Sequence, residues 1–331
     1  MPNKEIDVVI AWVDGSQVSH KKKLESTLKA LNKTNLPGAE KTRFGSDNEI
    51  KYCVLSILKF APFVRNIFIV TDQQNPNLDA DVEALFPGRS SSIKIIDHRE
   101  IFAGYEHSLP TFNSLSIETF IWRIKGLADQ FVYFNDDMFL IRPLEPEDWF
   151  YKGRPVIRGG WKLRPAIRLW GKGLVKILQK TKLYPTLGED LKPTFFIGQW
   201  WAAAKLGFKL RFFASEHTPH ALDRRRLEDF YEQNKVVLKN NAAYQFRHYK
   251  QYNTVTLANH LEILTGDPIL KPASEMICLK PVNRHNKYVT NKIERCEKNN
   301  HIKFLCAQSL DMATTEDQAN LLAWLKKRTS V

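Results

Sequence analysis

The feature that most constrains this chain is a series of four short apolar segments, each followed by a polar cluster. The segments are rich in β-branched residues, and helices are predicted between them over residues 49–60 and 116–128, with a loop at residues 43–47. A charged amphipathic helix is predicted further along the chain, over residues 222–238. The four apolar segments run over Ile6 to Val13, Asn66 to Thr71, Ile93 to Ile96 and Gln130 to Phe134. Strands that alternate with helices at this spacing predict an α/β fold with a mostly parallel sheet flanked by helices.

The polar clusters at the ends of these segments indicate where a ligand would bind. They are Asp14-Gly15-Ser16, Thr71-Asp72-Gln73-Gln74, Asp97-His98-Arg99-Glu100 and Asn135-Asp136-Asp137. In an open parallel sheet, the ligand site lies beyond the carboxyl ends of the strands. We therefore expect the four clusters to converge on one edge of the sheet and to form a single site there.

The cluster Asn135-Asp136-Asp137 is the most informative of the four because it lies between two apolar runs, Phe131 to Phe134 and Met138 to Ile141. Two carboxylates in such surroundings are costly to bury without a partner. Oxygen ligands suit a hard cation, so Mg²⁺ or Mn²⁺ bound to phosphate oxygens is one interpretation. A turn of Asn and Asp residues at the end of a strand is the alternative.

The net charge of +13 is concentrated in one segment. Residues 149–188 contain no carboxylate and ten basic residues. Arg168, Lys172, Lys176 and Lys180 recur every four residues, which predicts a cationic amphipathic helix with Trp170 on its apolar side. Residues 158–182 then suit a peripheral contact with an anionic membrane, although binding of a polyanionic product or a solvated lysine face is also consistent with the pattern.

Other patterns restrict the class of protein. Apolar runs are too short for a transmembrane helix, and the amino terminus lacks the apolar core of a signal peptide. The four cysteines show no paired metal-ligand spacing, so we expect reduced thiols and a cytoplasmic protein, peripheral on the inner face of the membrane. Aromatic-interleaved RNA-binding signatures are absent, so no nucleic-acid partner is expected.

Four blocks of this sequence resemble the Stealth family of bacterial hexose-1-phosphate transferases. Residues 6–16 (IDVVIAWVDGS) are similar to its first block, and residues 43–139 to its second. The second block includes Leu109-Pro110-Thr111-Phe112-Asn113-Ser114 and Phe131 to Phe139. The third resembles His217-Thr218-Pro219-His220 with Gln245-Phe246-Arg247, and the fourth resembles residues 304–311. The family is related to the catalytic part of the animal GlcNAc-1-phosphotransferase.

The resemblance implies an enzyme that moves a sugar-1-phosphate from a nucleotide sugar to a hydroxyl of a capsule or cell-surface polysaccharide. The acceptor would be a polysaccharide or lipid-linked glycan, and the products a phosphodiester and a nucleoside monophosphate. We expect a Rossmann-like or GT-A-like nucleotide-sugar fold with a helical, basic insertion. Residues 1–150 would form the α/β core, residues 151–193 the insertion, and residues 194–331 the helical acceptor side of the catalytic domain.

Roles for individual residues follow from the resemblance and from side-chain chemistry. His217 is the candidate general base and Arg247 the candidate phosphate clamp, with Asp14 and Asp137 as further catalytic candidates. The predicted metal ligands are Asn135, Asp136 and Asp137. The predicted donor-binding residues are Trp12, Asp72, Gln73, Asn113, Ser114, Glu118, Arg123 and His220.

Two other functions are compatible with parts of the pattern. A metal-dependent glycosyltransferase also pairs acids at strand ends with a nucleotide sugar, but it releases a nucleoside diphosphate. A basic module that binds anionic lipid or nucleic acid would owe its affinity to charge alone, and this affinity would collapse with salt.

Overall fold

The computed structural model of the protein describes residues 5–32, 48–164, 194–282, 284 and 287–330. The strands are β1 (Ile6–Ala11), β2 (Ile67–Thr71), β3 (Ile93–Asp97), β4 (Gln130–Asn135), β5 (Met138–Leu140), β6 (Phe150–Tyr151), β7 (Arg154–Leu163), β8 (Arg211–Ser215), β9 (His220–Asp223), β10 (Ile269–Lys271), β11 (Met276–Leu279) and β12 (Phe304–Ala307). The helices are α1 (Val18–Ala30), α2 (Glu49–Phe60), α3 (Asp79–Leu85), α4 (His98–Ile101), α5 (Ser114–Glu118), α6 (Phe195–Lys205), α7 (Arg224–Gln233), α8 (Lys235–Ala242), α9 (Thr254–Ile263), α10 (Tyr288–Lys298) and α11 (Thr315–Thr329).

The central sheet has the strand order β3-β2-β1-β4-β9. Its first four strands are parallel, and β9 pairs with β4 in the antiparallel direction. Parallel neighbours need crossover connections, which here contain the helices between successive strands. This arrangement confirms the predicted mostly parallel sheet, and the order 3-2-1-4 is that of a Rossmann-like half. It also places the ends of the first four strands along one edge.

Helices cover both faces of this sheet, as a buried parallel sheet requires. Successive side chains of β1 point to opposite faces: Val8 and Ile10 pack with α2, while Val9 packs in a second cluster. The second cluster includes Leu227 of α7 and Val255 of α9. The near-continuous apolar sequence of β1 is therefore explained by burial on both sides.

Two smaller sheets extend the core beyond β4. One has the order β11-β12-β5, so β5 links the chain after the acidic cluster to the carboxyl-terminal part. The other has the order β10-β7-β6, with β8 paired to β7. The central sheet takes β9 from residues 220–223, beyond the boundary predicted near residue 150, and the division into domains stays a prediction.

Several predicted elements differ from the structure. Residues 116–128 do not form one helix: α5 ends at Glu118, and a short 3-10 turn follows at Ile121–Arg123. The helix predicted over residues 222–238 is broken at Asn234 into α7 and α8, because the Asn234 side chain donates to the Phe230 carbonyl at 2.8 Å.

The predicted basic helix lies mostly outside the described residues. Its beginning is a strand, because residues 154–163 form β7 in the second small sheet. Arg168, Lys172, Lys176 and Lys180, and the predicted loop at residues 43–47, fall outside the described part of the chain. Where the structure describes the chain, no helix is both long and apolar enough to cross a membrane.

The amino end of the sheet is held together by a buried aspartate. Asp7 is fully buried, and its carboxylate accepts from Arg65 Nε at 2.9 Å and Nη2 at 2.6 Å. It also accepts from the backbone N–H groups of Ala128 at 2.7 Å and Asn66 at 3.1 Å. These bonds join the start of β1 to the segments that precede β2 and β4.

Candidate active site

A cavity of about 560 Å³ opens at the carboxyl edge of the central sheet. Residues of three of the four predicted polar clusters, those after β2, β3 and β4, contribute to its wall. After β1 the wall is formed by Trp12 and Val13 and not by the predicted cluster Asp14-Gly15-Ser16. Residues after β8 and after β12 also line the cavity. The polar and aromatic residues of its lining include Trp12, His20, Glu49, Asp72, His98, Asn113, Ser114, Asn135, Asp136, Asp137, His217, Arg247, Gln308, Ser309 and Asp311.

Asp136 and Asp137 form the acidic part of this wall, in the tight connection between β4 and β5. The Asp137 backbone carbonyl accepts from Ala307 N–H at 2.9 Å, which fixes this connection to the end of β12. Asp137 Oδ2 lies 3.7 Å from Cys306 Sγ, a weak thiol donor, while the buried Oδ1 has no hydrogen-bond partner in the described part of the chain. A buried carboxylate oxygen without a donor is costly unless a ligand completes it.

The charge state of the two aspartates reflects this shortage of partners. Burial raises the pKa of Asp137 to about 6, although the Cys306 thiol lowers it. Burial also raises the pKa of Asp136 well above its ordinary value, and the neighbouring Asp137 and Glu49 carboxylates raise it further. Near neutral pH the site therefore favours the arrival of positive charge.

The part of the chain that the structure describes supplies no counter-ion for this pair: no Lys or Arg there forms an ion pair with Asp136 or Asp137. Nor do three His, Cys, Asp or Glu side chains come together there in a group that could hold a metal ion. Two carboxylates suit a Mg²⁺ ion that takes its other ligands from water and substrate phosphates.

Asn135 has a different environment from the two aspartates. The Tyr133 hydroxyl donates to Asn135 Oδ1 at 3.1 Å, and the same hydroxyl lies 3.4 Å from Glu118 Oε1. Asn135 lines the cavity, but its side-chain oxygen already has a donor in this orientation of the amide. Its role as a metal ligand stays a prediction.

His217 and Arg247 also line the larger cavity. The His217 ring stacks on Phe195 at 4.4 Å between centroids. Burial, with the nearby Lys280 and Arg247, lowers the pKa of His217 to about 4, so the imidazole is neutral near pH 7. Arg247 Nη2 donates to Ser114 Oγ at 2.8 Å, which orients the guanidinium beside the cavity.

A second, smaller cavity of about 90 Å³ adjoins the first. Ser114, Asn135, His217 and Arg247 line both cavities, so they form a shared wall between them. The second cavity also receives two of the predicted donor-binding residues, Glu118 and His220, together with Tyr249 and other residues of the 248–255 region.

Glu118 and His220 are buried polar groups of this second cavity. Burial raises the pKa of Glu118 to about 7, against the opposing effect of Arg247 and the Tyr133 hydroxyl. Glu118 Oε2 accepts from Asn253 Nδ2 at 3.2 Å. Burial, and then the nearby His217, lowers the pKa of His220 to about 3, so this ring is also neutral.

The predicted donor residues at the start of α5 have structural contacts that also position the site. Asn113 Oδ1 accepts from Leu115 N–H at 3.2 Å and caps α5, while its amide donates to Tyr244 O and Gln251 Oε1. Asn113 and Ser114 both line the larger cavity. The cap therefore holds Ser114 where it meets Arg247.

The far end of the larger cavity, over β1 to β3, contains Trp12, His20, Asp72 and His98. Asp72 accepts from Lys23 Nζ at 2.9 Å and 3.0 Å, so its charge is neutralised within the protein. Trp12 is 7% exposed, and its indole N–H has no partner among the described residues. This end therefore presents an aromatic ring and imidazoles, in contrast to the acidic end.

Three predicted residues are absent from the described lining of both cavities: Asp14, Gln73 and Arg123. The Asp14 carboxylate accepts from Ser16 N–H at 2.8 Å, as expected for a turn. The Gln73 N–H donates to Asp97 at 2.9 Å, and the Arg123 guanidinium donates to the Ile101 and Ala103 carbonyls. Their roles in donor binding or catalysis stay predictions.

Sequence reasoning assigned no role to His20, Glu49 or His98. His98 belongs to a strand-end cluster, so its position after β3 was a usable signal. His20 lies in α1 and Glu49 at the start of α2, where only the folded chain brings them to the cavity. Helical residues of this kind carry no local mark of a site.

Part of the chain matches a conserved region of a known family. The conserved region 2 of Stealth proteins matches residues 43–156, which include the second block described above. This stretch contributes Asn113, Ser114, Asn135, Asp136 and Asp137 to the cavity. The resemblance in the other three blocks stays a prediction.

Curated relatives carry names of the same kind. The chain is 35% identical over 186 residues to capsular polysaccharide phosphotransferase LcbA of Neisseria meningitidis, covering 56% of this chain and 46% of the relative. It is 41% identical over 186 residues to capsular polysaccharide phosphotransferase cps12A of Actinobacillus pleuropneumoniae, with the same coverage. Exopolysaccharide phosphotransferase cps2G of Lactiplantibacillus plantarum is 39% identical over 148 residues, covering 44% and 39%. The matches thus span less than half of each relative's length.

Among solved structures, galactosyltransferase LgtC in complex with donor and acceptor sugar analogues is similar with a TM-score of 0.43 and 11% identity, covering 98% of this chain and 97% of that one. The sequence matches thus show that the chain is similar to the Stealth family over residues 43–156 and to capsular polysaccharide phosphotransferases over part of their length.

Proposed function

We propose that this protein transfers a sugar-1-phosphate from a nucleotide sugar to a hydroxyl of a capsule or cell-surface polysaccharide. A phosphodiester is formed, and a nucleoside monophosphate leaves. The single observation that carries the proposal is one cavity that is lined by His217 and Arg247 and by the carboxylates of Asp136 and Asp137, which form no ion pair among the described residues. The phosphotransferase names of the relatives support it.

The donor diphosphate would bind at the acidic end through Mg²⁺ or Mn²⁺. Asp136 and Asp137 would hold the ion, and the unsatisfied Asp137 Oδ1 is the observation that fits this role. A bound divalent ion would neutralise negative charge on the transferring phosphoryl group. Arg247, oriented by Ser114, would pair with the remaining phosphate oxygens through its planar guanidinium.

His217 would take the proton from the acceptor hydroxyl as that oxygen attacks the sugar-bearing phosphorus. The imidazole is already neutral, so it can accept this proton without a prior deprotonation step. A bound diphosphate adds negative charge to the cavity, which would raise the pKa of His217 toward neutrality and strengthen it as a base. The proton leaves the acceptor as the phosphorus–oxygen bond to the departing nucleotide breaks.

The acceptor would approach from the smaller cavity. His217 and Arg247 face both cavities, so a hydroxyl on that side would meet the base and the phosphate clamp together. Phe195, stacked on His217, and Tyr249 supply aromatic surface of the kind on which sugar rings pack. A polysaccharide or lipid-linked glycan acceptor fits this position.

Analysis of the nucleotide product tests the proposal. The protein would be incubated with Mg²⁺, a capsule oligosaccharide and a panel of nucleotide sugars, and the released nucleotide identified by chromatography. We expect a nucleoside monophosphate, because the bond that breaks is the one between the sugar-bearing phosphorus and the bridging oxygen of the diphosphate, and this oxygen leaves with the nucleotide. Release of a nucleoside diphosphate would instead establish the alternative, an ordinary glycosyltransferase. The His217→Asn variant should slow release by about 10³-fold, within the usual range for loss of a general base.

We also propose that the protein contacts an anionic membrane from the cytoplasmic side. The paired ends of β7 and β8 carry Trp161, Leu163 and Leu210, which are 39%, 56% and 67% exposed. The Arg211 guanidinium lies 4.6 Å from the Trp161 ring centroid, so apolar and cationic groups are mixed as at a bilayer interface. Arg158 is buried and paired with Glu275 at 2.8 Å, so the contact would involve the basic residues that follow it in the sequence, up to Lys182. The four cysteines are free thiols, as expected in the cytoplasm.

Liposome flotation tests the membrane contact. Vesicles with phosphatidylglycerol should retain the protein, and vesicles of phosphatidylcholine should not. Combined Leu163→Ser and Leu210→Ser substitutions, or Lys172→Gln with Lys176→Gln and Lys180→Gln, should each weaken retention, while nucleotide release from a short soluble acceptor stays unchanged. Equal retention by the two kinds of vesicle would contradict an electrostatic contact.

A further inference from the structure

The larger cavity has two chemically different ends. Asp136 and Asp137 follow β4, whereas Asp72 and His98 follow β2 and β3, on the other side of β1 in the strand order. The two ends are therefore separated across the width of the sheet edge. A nucleotide sugar is divided in the same way, because its diphosphate is anionic and its nucleoside is neutral.

His98 is a buried polar residue at the second end, and one of its ring nitrogens has no partner among the described residues. It is the first residue of α4, and it is 6% exposed. A capping box holds the residue in place: Asp97 Oδ1 accepts from Arg99 N–H, and Glu100 Oε1 accepts from Asp97 N–H, both at 2.9 Å. Its ring lines the cavity, and Nε2 has no hydrogen-bond partner among the described residues.

The charge state of His98 decides which partner it suits. Burial lowers the pKa of His98 to about 4, against the opposing effects of Asp72 and Asp97. Lys23 already pairs with Asp72, so this acid does not hold the imidazole in its cationic form. A neutral imidazole offers one donor and one acceptor, which match the hydroxyl, carbonyl and amide groups of a nucleoside rather than a phosphate.

We propose that His98 is a specificity-determining residue that hydrogen-bonds the nucleoside half of the donor through Nε2. The inference rests on the proposed function, because it takes the donor to be a nucleotide sugar. Trp12, at the end of β1, borders the same space and supplies an aromatic surface for the base or ribose. The diphosphate then extends over β1 to the acidic end.

Binding measurements with two probes separate this role from a general effect on the cavity. Isothermal titration in the presence of Mg²⁺ would use UDP, which has a nucleoside, and pyrophosphate, which has none. The variants would be His98→Phe, which keeps a ring without a polar atom, and His98→Gln, which keeps a hydrogen-bonding group. His107→Phe, at an exposed position nearby, is the control.

His98→Phe should weaken UDP binding by about 10-fold or more, the scale of one buried hydrogen bond, and should leave pyrophosphate binding unchanged. His98→Gln should recover part of the affinity for UDP, and His107→Phe should match the unaltered protein. In turnover, the donor KM should rise in His98→Phe while kcat stays within about 3-fold, because the group lies away from the reacting phosphorus.

Two results would overturn the inference. Equal losses of UDP and pyrophosphate affinity would show that His98 shapes the cavity as a whole, and unchanged UDP affinity in a folded His98→Phe protein would show that it does not meet the nucleoside. If His98→Phe fails to fold, the His98→Gln variant serves as the test of the inference. Its side chain has a different pattern of donor and acceptor atoms, so the ratio of UDP affinity to GDP affinity must change. Failure of the proposed function is a separate outcome, seen as release of a nucleoside diphosphate or no nucleotide while the two probes still bind.

Discussion

Two aspartates with buried carboxylate oxygens, at opposite ends of the central sheet, show how differently one residue type is used in this protein. Asp7, at the amino end of β1, receives two hydrogen bonds from Arg65 and one each from the Ala128 and Asn66 N–H groups. Asp137, at the carboxyl end beyond β4, has a long contact with the Cys306 thiol, and its Oδ1 has no partner among the described residues.

The difference separates a part of the fold whose polar groups are fully paired from a part that needs a bound ligand. A buried carboxylate with several donors and a cation stabilises the structure around it, and it leaves no capacity for a ligand. A buried carboxylate without them costs free energy in the unliganded protein. That cost is consistent with a site whose missing partner is a bound cation and the phosphates it carries.

The largest expected effect is the loss of nucleotide release when Asp137 is replaced. Asp137→Asn should reduce nucleotide release by about 10³-fold, because it removes a charge from the group proposed to hold the metal. Its melting temperature should stay the same or rise, since the amide removes an uncompensated buried charge. Turnover assays with circular dichroism would measure both, and Asp229→Asn on the surface of α7 is the control. Normal turnover would exclude Asp137 from the site.

The corresponding change at the other end should do the opposite. Asp7→Ala should lower the free energy of unfolding by about 3 kcal/mol, because it leaves two buried N–H groups and Arg65 without their acceptor. The specific activity of the protein that remains folded should be near normal. Urea denaturation with active-site titration would measure this, and a stable but inactive Asp7→Ala protein would contradict the structural role.

Ligand binding should give Asp137 the partner that Asp7 already has. At a free concentration of UDP–Mg²⁺ one hundred times its Kd, the folded state should gain about 2.7 kcal/mol. Removal of the metal with EDTA should reverse most of the gain. Asp137→Asn should lose the metal-dependent part and Asp7→Asn should retain it. An equal gain for UDP with and without metal would argue against a metal at the acidic end.

The smallest effect concerns the repulsion within the acidic cluster. Asp136→Asn should raise the melting temperature of the metal-free protein by about 2 °C at pH 8. The folded protein holds the protons of Asp136 and Asp137 more tightly than the unfolded chain does, since burial raises the pKa of both groups. Stability from these groups is therefore lost as pH rises through the folded pKa, which is about 6 for Asp137.

The pH dependence of this gain provides its control. The advantage of Asp136→Asn should shrink toward pH 4, where the folded carboxyls are already protonated. The buried histidines also make the stability of the protein depend on pH: their contribution to the free energy of unfolding is lost as pH falls below their ordinary pKa of 6.5. Comparison of the variant with the unaltered protein at each pH cancels this effect. Scanning calorimetry at several pH values would show the trend, and an advantage that grows toward pH 4 would refute the repulsion.

The sequence allowed the parallel sheet and the position of the site to be predicted, because both depend on local pattern. The β-branched composition of β1 and β2 reports burial on both faces, and strand ends of a parallel sheet must share an edge. The partners of the site could not be predicted in this way. The Lys23–Asp72 ion pair, the Arg247–Ser114 hydrogen bond and the approach of His20 depend on how distant segments pack.

The errors have a similar cause. Residues 116–128 have helical composition, but after α5 the chain turns so that Trp122 and Ile124 pack against the helices behind the sheet. The first two residues of the segment predicted as a helix over residues 222–238 belong to a strand, β9, which pairs with β4 through four residues. Short edge strands next to charged helices have too little sequence to show their own periodicity.

The wall that the two cavities share has a thermodynamic consequence. Ser114, Asn135, His217 and Arg247 form one surface of each chamber, so a molecule that orders these side chains from one side prepares them for a molecule on the other. Such linkage is reciprocal: if the donor raises the affinity for the acceptor by some factor, the acceptor raises the affinity for the donor by the same factor. Donor and acceptor should therefore bind cooperatively in a ternary complex.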